Sequence, residues 1–274
     1  MKRSVFFLSD RTGITAETLG HSLLTQFEGI EFTQVNVPFL DSPEKASRTV
    51  ERINLAAQQD GEKPIIFATL LNDEIREIVN QSQGQIFDFF ETFINPLEAA
   101  LNTPSAHAIG RSHGIKGYDT YKTRIDAVNF ALSNDDGSTT RHYPDADIIL
   151  IGVSRTGKTP TCLYLALQYG IHAANYPITE EDLDKTRLPE AIMPYRDKLF
   201  GLTIDAERLH QIRNERRKNS RYASREQCNL EVRTVEQLYQ QERIDFLDTS
   251  TISIEEIATT ILHQTGIARR LYGS

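Results

Sequence analysis

The sequence contains no tryptophan, only two cysteines and two methionines, and fewer basic than acidic residues. Its 30 lysines and arginines stand against 38 aspartates and glutamates, which gives a formal net charge of -8 at pH 7. Proteins that bind nucleic acid or anionic membranes broadly do so through basic surfaces. The charge balance therefore argues against a nucleic-acid or membrane partner, and any basic site has to be local.

A cysteine framework and long apolar runs are also missing. Cys162 and Cys228 lack the C-x-x-C spacing, so we interpret them as reduced thiols rather than a disulfide. No stretch approaches the ~18 consecutive apolar residues of a transmembrane helix. The apolar run at 5–8 follows Lys2 and Arg3 but is too short for a signal peptide. The expected localisation is cytoplasmic.

Short apolar runs alternate with amphipathic segments along the 274 residues, a pattern typical of α/β proteins. Strands are predicted at 5–8, 32–39, 65–68, 147–151, 173–178, 199–204 and 245–248, and helices at 43–59, 86–101, 162–169 and 206–217. Ser253 and Glu256 form a capping box that begins a last helix. The predicted fold is an N-terminal α/β domain followed by a P-loop kinase-like α/β domain with a mainly parallel sheet. No internal repeat is visible.

A long segment without periodicity, residues 103–119, is rich in glycine and histidine. Loops of this length inside compact domains are functional or connecting segments. Arg111 and His113 are candidates for holding phosphate or moving a proton, although a lone loop histidine is more often solvated than catalytic. The turn at 134–137 follows, and we place the domain boundary after it. The predicted domains are 1–143 and 144–274.

The segment Gly152–Thr159 matches the phosphate-binding pattern G-x-x-x-x-G-K-[ST] between a predicted strand and a helix. Its glycines let successive N–H groups point into one anion-sized hole, which the positive end of the helix also faces. Lys158 is expected to neutralise the terminal phosphates, and the Thr159 hydroxyl to ligate Mg²⁺. A glycine-rich turn without a ligand is the alternative. The candidate nucleotide-binding residues are Gly152, Val153, Ser154, Arg155, Thr156, Gly157, Lys158 and Thr159.

P-loop enzymes carry a carboxylate at the end of a neighbouring strand. Asp205, after the predicted strand 199–204, is the first candidate and Asp248 the second. Both also precede helices, where aspartate is a common N-cap, so the two interpretations of Asp205 stay open. Arginines cluster between 208 and 225, which suits either a lid over phosphates or a solvated helix face. Arg221 is our candidate for a catalytic arginine among them.

The segment Ser9–Thr15 also lies between a predicted strand and a helix. Hydroxyls and a glycine at a helix N-terminus suit a second anion site. Asp10 comes at the carboxyl end of a strand, where α/β sheets place functional groups. Simple helix capping by Asp10, Thr12 or Thr15 explains the same residues equally well.

Several segments together resemble one bacterial and plant family, the pyruvate, phosphate dikinase regulatory proteins, and in particular its branch that regulates phosphoenolpyruvate synthase. The resemblance covers nearly the whole chain, in order, and is carried by SDRTGITAETLGHSLLTQF, RSHG, NDDG, IGVSRTGKTPT, AANYPI, LFGLTIDAERL and NSRYAS. Taken jointly these motifs are far more specific than the P-loop alone.

The resemblance implies a bifunctional enzyme. Such proteins use ADP to phosphorylate a threonine beside the catalytic histidine of their target, which inactivates it. They reverse the modification with inorganic phosphate, which releases pyrophosphate. By this analogy Gly152–Thr159 is the ADP site, and the expected protein partner is phosphoenolpyruvate synthase or pyruvate, phosphate dikinase. Asp205 or Asp10 is our candidate for the general base, and the segment Ser9–Thr15 for part of the phosphate site.

Two other functions are compatible with the P-loop. A small-molecule kinase would use ATP and a metabolite, and Asp248-Thr249-Ser250 before the last helix is similar to the ends of such kinases. A nucleotide-sensing module would bind ADP or ATP and transfer nothing. The oligomeric state stays open, with a homodimer as one alternative.

Overall fold

A computed structural model of the chain describes residues 2–106, 118–183, 185, 187–218 and 220–271, with the backbone alone for 118–120. The chain forms two compact units, Met1–Lys116 and Gly117–Ser274. This division lies ahead of the boundary expected after residue 143. The helix that precedes residue 134 contributes Ala127 and Ala131 to a core cluster of the second unit, which explains why it belongs there.

The first unit alternates strands and helices. Its elements are β1 (Lys2–Ser9), α1 (Ile14–Leu24), β2 (Glu31–Val37), α2 (Pro43–Asp60), β3 (Ile65–Thr69), α3 (Asp73–Val79), β4 (Gln85–Asp88) and α4 (Phe89–Leu101). The four strands are parallel in the order β2-β1-β3-β4. In the central strand, Val5 and Phe7 pack in one core cluster while Phe6 and Leu8 pack in another. An apolar run buried on both faces is typical of such a strand.

One predicted helix of this unit is wrong at its start. A helix was expected over 86–101, but Gln85–Asp88 pairs with β3 as a strand and the helix begins at Phe89. The Asp88 carboxylate accepts hydrogen bonds from the N–H groups of Phe90 at 2.9 Å and Glu91 at 3.1 Å, which caps the new helix. Short apolar runs do not distinguish strand from helix by periodicity alone.

The second unit is built around another parallel sheet. Its elements are α5 (Tyr118–Ser133), β5 (Ile148–Gly152), α6 (Lys158–Tyr169), β6 (Ala173–Pro177), α7 (Glu180–Leu183), β7 (Leu199–Thr203), α8 (Ala206–Arg216), α9 (Arg225–Glu242), β8 (Phe246–Asp248) and α10 (Ile254–Thr265). Short 3₁₀ turns occupy Asp135–Gly137, Tyr143–Asp145, Met193–Lys198 and Arg221–Ala223. The strand order is β6-β5-β7-β8, the same relative order as in the first unit.

The predicted α/β class with parallel sheets is confirmed. So is the capping box, because the Ser253 hydroxyl accepts from the Glu256 N–H at 3.2 Å and the Glu256 carboxylate accepts from the Ser253 N–H at 2.7 Å. The long helix α9 was not predicted. Its buried face includes Gln227 and Glu231. Polar residues at buried positions interrupt the apolar periodicity that indicates a helix.

Strand β5 is the switch point of the second sheet. The chain leaves it through α6 to β6 on one side and later returns to β7 on the other side. In open α/β sheets, ligands bind outside the carboxyl ends of the strands at such a point. The segment Gly152–Thr159 begins there.

Candidate nucleotide-binding site

The loop Gly152–Thr159 joins β5 to α6 along a backbone path that few residues tolerate. A Cβ on Gly152 would lie 2.5 Å from the carbonyl oxygen of Leu202 in β7. Gly157, the N-cap of α6, has a φ of 86°, and Arg155 has a φ of 81°. A non-glycine residue in this left-handed region is strained, and such strain concentrates at functional sites. The strained turn is the one that has to present its N–H groups to a phosphate.

Lys158 lies within the loop and is only 5% exposed. Its Nζ donates hydrogen bonds to the carbonyl oxygens of Gly152 and Val153, both at 2.9 Å. An ammonium group has three donors, so one is left for a ligand. Burial lowers the pKa of Lys158 to about 8, against the opposing charges of Asp136 and Asp135. The lysine is therefore already placed at the base of the cradle.

A carboxylate faces the threonine at the start of α6. The Thr159 hydroxyl donates to Oδ1 of Asp135 at 2.8 Å. The same oxygen accepts from Nδ2 of Asn175 in β6 at 2.5 Å, and Oδ1 of Asn175 accepts from the Asp136 N–H at 3.0 Å. Asn175 is fully buried. The turn that carries Asp135 is therefore fixed to the sheet beside the P-loop.

A buried ion pair supports the other side of the loop. Arg213 of α8 is fully buried and donates from Nη2 to Oε2 of Glu231 at 2.7 Å and to the Ser154 carbonyl oxygen at 3.1 Å. Its guanidinium also lies 4.2 Å from the ring centroid of Tyr222. The Tyr222 and Ser154 hydroxyls are 2.9 Å apart. Helices α8 and α9 and the turn at Tyr222 thus hold the P-loop backbone through one cation.

The predicted strand-end carboxylates have other contacts. Oδ1 of Asp205 accepts from the Arg208 N–H at 2.9 Å and caps α8, and the side chain is exposed. Oδ1 of Asp248 accepts from the Ser250 N–H at 2.9 Å. The hydroxyl of the intervening Thr249 lies 3.2 Å from the Thr156 carbonyl oxygen, where it supports the loop. The capping interpretation of Asp205 has direct structural support.

Arg221 lies at the start of the turn that contains Tyr222, beside an open groove of about 520 Å³. Its guanidinium pairs with Glu180 on the surface, while Arg225 pairs with Glu207 at 2.7 Å. Both arginines are exposed. Surface pairs of this kind contribute little stability, so either arginine can exchange its partner for a phosphate at small cost.

The remaining candidates belong to the first unit. Asp10 is buried, and its Oδ2 accepts from the Leu71 N–H at 2.9 Å. Gly13 is the N-cap of α1, with a φ of 81° and no side-chain cap. Arg111 and His113 lie outside the described residues. The structure therefore gives Asp10 a structural partner, and among the described residues no side chain caps the N-terminus of α1.

Comparison with known proteins gives the family. A model of the family described as kinase/pyrophosphorylase matches residues 5–262. The chain belongs to this kinase/pyrophosphorylase family. The resemblance to this family inferred from the motifs is therefore confirmed.

Several relatives match over essentially their full length. A protein of Marinobacter nauticus is 58% identical over 269 residues, which cover 98% of this chain and 99% of the relative. Proteins of Stutzerimonas stutzeri and Hahella chejuensis are 57% and 56% identical, each over 99% of this chain and 100% of the relative. All three are provisionally named phosphoenolpyruvate synthase regulatory proteins. Among the described residues, no helix combines the length and the apolarity needed to cross a membrane.

The site also contains residues that were not among the candidates from sequence, and Asp135 and Arg213 are two of them. Asp135 belongs to the N-D-D-G segment, which contributed to the family resemblance but was interpreted as a turn before a domain boundary. Arg213 was one member of an arginine cluster, and no local pattern marks it as the fully buried one. No local pattern marks Asp135 either, since only its contacts with Thr159 and Asn175 show that it lies beside the P-loop.

Proposed function

We propose that this protein is a bifunctional regulator of phosphoenolpyruvate synthase. It phosphorylates a threonine of the target with ADP, which inactivates the target, and removes the phosphate by phosphorolysis. The observation that carries the proposal is a complete P-loop with a pre-positioned lysine in a chain of the kinase/pyrophosphorylase family. The names of the full-length relatives support the target. The same chemistry on pyruvate, phosphate dikinase is the alternative.

In the kinase direction, the threonine hydroxyl oxygen of the target attacks the β-phosphorus of ADP. The bond from this phosphorus to the bridging oxygen breaks, AMP leaves, and the hydroxyl proton passes to a base. Lys158 and the loop N–H groups would bind the β-phosphate and neutralise charge as it moves to the bridging oxygen. Arg155 and Arg221 are exposed cations that can contact the outer phosphate oxygens.

In the phosphorylase direction, an oxygen of inorganic phosphate attacks the phosphothreonine. The phosphorus–threonine oxygen bond breaks, pyrophosphate is released and the threonine recovers its proton. Both directions transfer one phosphoryl group, and we propose that inorganic phosphate has an anion site of its own that is partly shared with the kinase site. The segment Ser9–Thr15 stays our prediction for part of the inorganic phosphate site, because the N–H groups at the start of α1 lack a side-chain cap.

The residues beside the loop fit Mg²⁺, which we propose as the cofactor. Mg²⁺ prefers oxygen ligands and is commonly held by one or two carboxylates together with substrate phosphates. The Thr159 hydroxyl and the Asp135 carboxylate are adjacent, and both are oxygen donors. When bound, the ion would supply positive charge that offsets the charge of the phosphates.

The general base remains a choice among carboxylates. Asp205 and Asp10 are the residues proposed from sequence. Asp136 joins them because its side chain is exposed and close enough to Lys158 to raise the pKa of that lysine. An Asp→Asn variant of the true base should lose phosphoryl transfer and keep ADP binding. We also propose that the protein acts in the cytoplasm.

The decisive test is transfer of label from β-³²P ADP. The purified protein is incubated with phosphoenolpyruvate synthase preloaded on its histidine with unlabelled phosphate. We expect label on a target threonine and its release as pyrophosphate when phosphate is added. Lys158→Ala should abolish both, because the cradle loses its cation. Lys122→Ala, which removes an exposed lysine of α5, is the matched control and should keep full activity.

Each failure has a distinct meaning. Label on the dikinase alone would change the target and keep the chemistry. No label on either protein, with ADP still bound, would leave a nucleotide-sensing module. Transfer from ATP to a metabolite would leave a small-molecule kinase.

A further inference from the structure

We infer that Asp135 is the carboxylate of the Mg²⁺ site and the partner of Thr159, in place of an aspartate at the end of a neighbouring strand. This inference rests on the proposed function and adds a residue to its site. Its starting point is the 2.8 Å hydrogen bond from the Thr159 hydroxyl to Oδ1 of Asp135. When a threonine hydroxyl donates its hydrogen bond to a carboxylate, the lone pairs of the hydroxyl oxygen stay available to coordinate a cation.

The Asp135 carboxylate is held in one orientation with one oxygen to spare. Thr159 and Asn175 both donate to Oδ1. No described residue donates a hydrogen bond to Oδ2, and the side chain is only half-buried. Asn175 also holds the next residue of the turn through its own side-chain oxygen. The free oxygen is therefore fixed beside the P-loop threonine and accessible to an ion that arrives with the nucleotide.

The alternative carboxylates lack this geometry. Asp205 caps α8 and Asp248 accepts from Ser250. Within the part of the chain that the structure describes, neither forms a hydrogen bond with Thr159. No group of three or more histidine, cysteine, aspartate or glutamate side chains gathers among the described residues. A site of one carboxylate, one hydroxyl and two phosphates agrees with that sparse donor set.

The electrostatics of the site agree with this assignment. The Asp135 carboxylate is hydrogen-bonded to Thr159 at the start of α6 and Asp136 follows it, so the N-D-D-G turn places negative charge next to the cradle. ADP brings more negative charge to the same place. A divalent cation between Asp135 and the phosphates relieves the repulsion, whereas without it the carboxylate weakens nucleotide binding. Mg²⁺ should therefore strengthen ADP binding through Asp135.

The test measures ADP affinity by calorimetry with Mg²⁺ and with EDTA, for the full chain and for Asp135→Asn. Asparagine keeps the shape and an oxygen that accepts from Thr159, so the fold should hold, and thermal unfolding checks it. We expect Mg²⁺ to strengthen ADP binding by the wild-type protein tenfold or more. In Asp135→Asn this gain should disappear, while the affinity in EDTA stays equal or rises. Asp205→Asn tests the competing strand-end carboxylate and should keep the gain.

The outcomes separate the inference from the function on which it rests. If Asp205→Asn loses the Mg²⁺ effect and Asp135→Asn keeps it, the ligand is at the strand end and the inference is wrong. Equal Mg²⁺ effects in the wild type, Asp135→Asn and Asp205→Asn would also overturn the inference. So would ADP binding that does not depend on Mg²⁺ in any of the three proteins. Each of these results would leave the ADP site intact. If the wild-type protein binds no ADP in either solution, the proposed function fails as well.

Discussion

The two units contain the same corner of strand, loop and helix, but the described residues around the two corners differ. Each has a central strand, β1 or β5, in the same strand order, followed by a loop and a helix whose N-cap glycine is left-handed, with φ 81° at Gly13 and 86° at Gly157. The sequences align as R-T-G-I-T at 11–15 and R-T-G-K-T at 155–159. The repeat is short enough to escape notice in the sequence, where we saw none.

The difference between the corners lies in three additions to the second. Lys158 is buried within its loop, whereas Ile14 at the equivalent position is 56% exposed. Asp135 faces Thr159, and the Arg213–Glu231 pair supports the loop at Ser154. A strand, a left-handed glycine and a helix N-terminus therefore make only the backbone of a phosphate cradle. We propose that charge and bracing make the second corner the one that neutralises a nucleotide.

The largest expected effect is the loss of stability when the buried side chain that supports the loop of each corner is removed. Arg213→Ala leaves Glu231 buried without its cation, and breaking a buried pair in this way costs about 3–5 kcal/mol. Asp10→Ala removes a buried acceptor from the Leu71 N–H, which costs about 1–3 kcal/mol. Urea unfolding of both variants measures the difference. The exposed Arg233→Ala is the control, with an effect within about 0.5 kcal/mol.

Removal of Arg213 should also change the affinity for ADP. Arg213→Ala should weaken ADP binding because the Ser154 carbonyl loses its support, and Arg213→Lys should recover part of the stability because it restores the charge. Equal stability losses in Arg213→Ala and Asp10→Ala would show that the two loops are braced equally, and the contrast between the corners would fail.

A smaller effect is expected at the loop glycines. In Gly152→Ala the new Cβ would lie 2.5 Å from the Leu202 carbonyl oxygen, and such overpacking costs about 1–3 kcal/mol. At Gly13 the nearest atoms would be 3.8 and 3.9 Å from a new Cβ, so only the positive φ is penalised, by about 1–2 kcal/mol.

Gly29→Ala isolates the backbone contribution, because Gly29 has a φ of 80° and no atom within 4 Å of an added Cβ. Chemical denaturation should rank Gly152→Ala as the most destabilised, with Gly13→Ala and Gly29→Ala alike. ADP affinity should fall in Gly152→Ala alone. A Gly13→Ala variant that weakens ADP binding as much would give the first corner a share in the nucleotide site.

Much of the fold was readable from local pattern, because apolar runs such as 5–8 and 148–151 become strands buried on both faces. The P-loop motif could also be recognised from the sequence, because its residues are contiguous and their spacing is the one that binding of a phosphate requires. The helix predicted at Ile86–Asp88 was wrong because the apolar pattern is ambiguous there. These residues belong to a four-residue strand that ends at the N-cap of a helix.

The rest of the site depends on contacts between distant residues, which periodicity does not encode. Asp135 meets Thr159 across 24 positions, and Arg213 meets Ser154 across 59. Asp205 was the expected strand-end carboxylate, yet its position before α8 also makes it a cap. A residue type suited to two roles is assigned only when its partners are known.

The smallest expected effect is a pH dependence that only the second corner can have. Burial lowers the pKa of Lys158 from 10.5 to about 8, whereas Ile14 carries no proton. Below pH 8 the ammonium is present, and phosphate binding favours that charged form. As pH rises above 8, the free protein loses the proton, so ADP binding must take one up and should weaken by about tenfold between pH 7.5 and 9.5.

Calorimetry in two buffers of different ionisation enthalpy measures that proton uptake. The pH values are chosen above the second pKa of phosphate, which is about 6. Lys158→Arg keeps its charge over this range, so its ADP affinity, even if lower, should be flat with pH. Stability moves in the opposite direction: unfolding restores the ordinary pKa, so between pH 8 and 10.5 deprotonation of Lys158 relieves a burial cost and favours the folded state. Wild-type ADP affinity that stays constant to pH 9.5 without proton uptake would mean that Lys158 is not the titrating cation of the cradle. The difference between the two corners would then depend on Asp135 and on the Arg213–Glu231 pair.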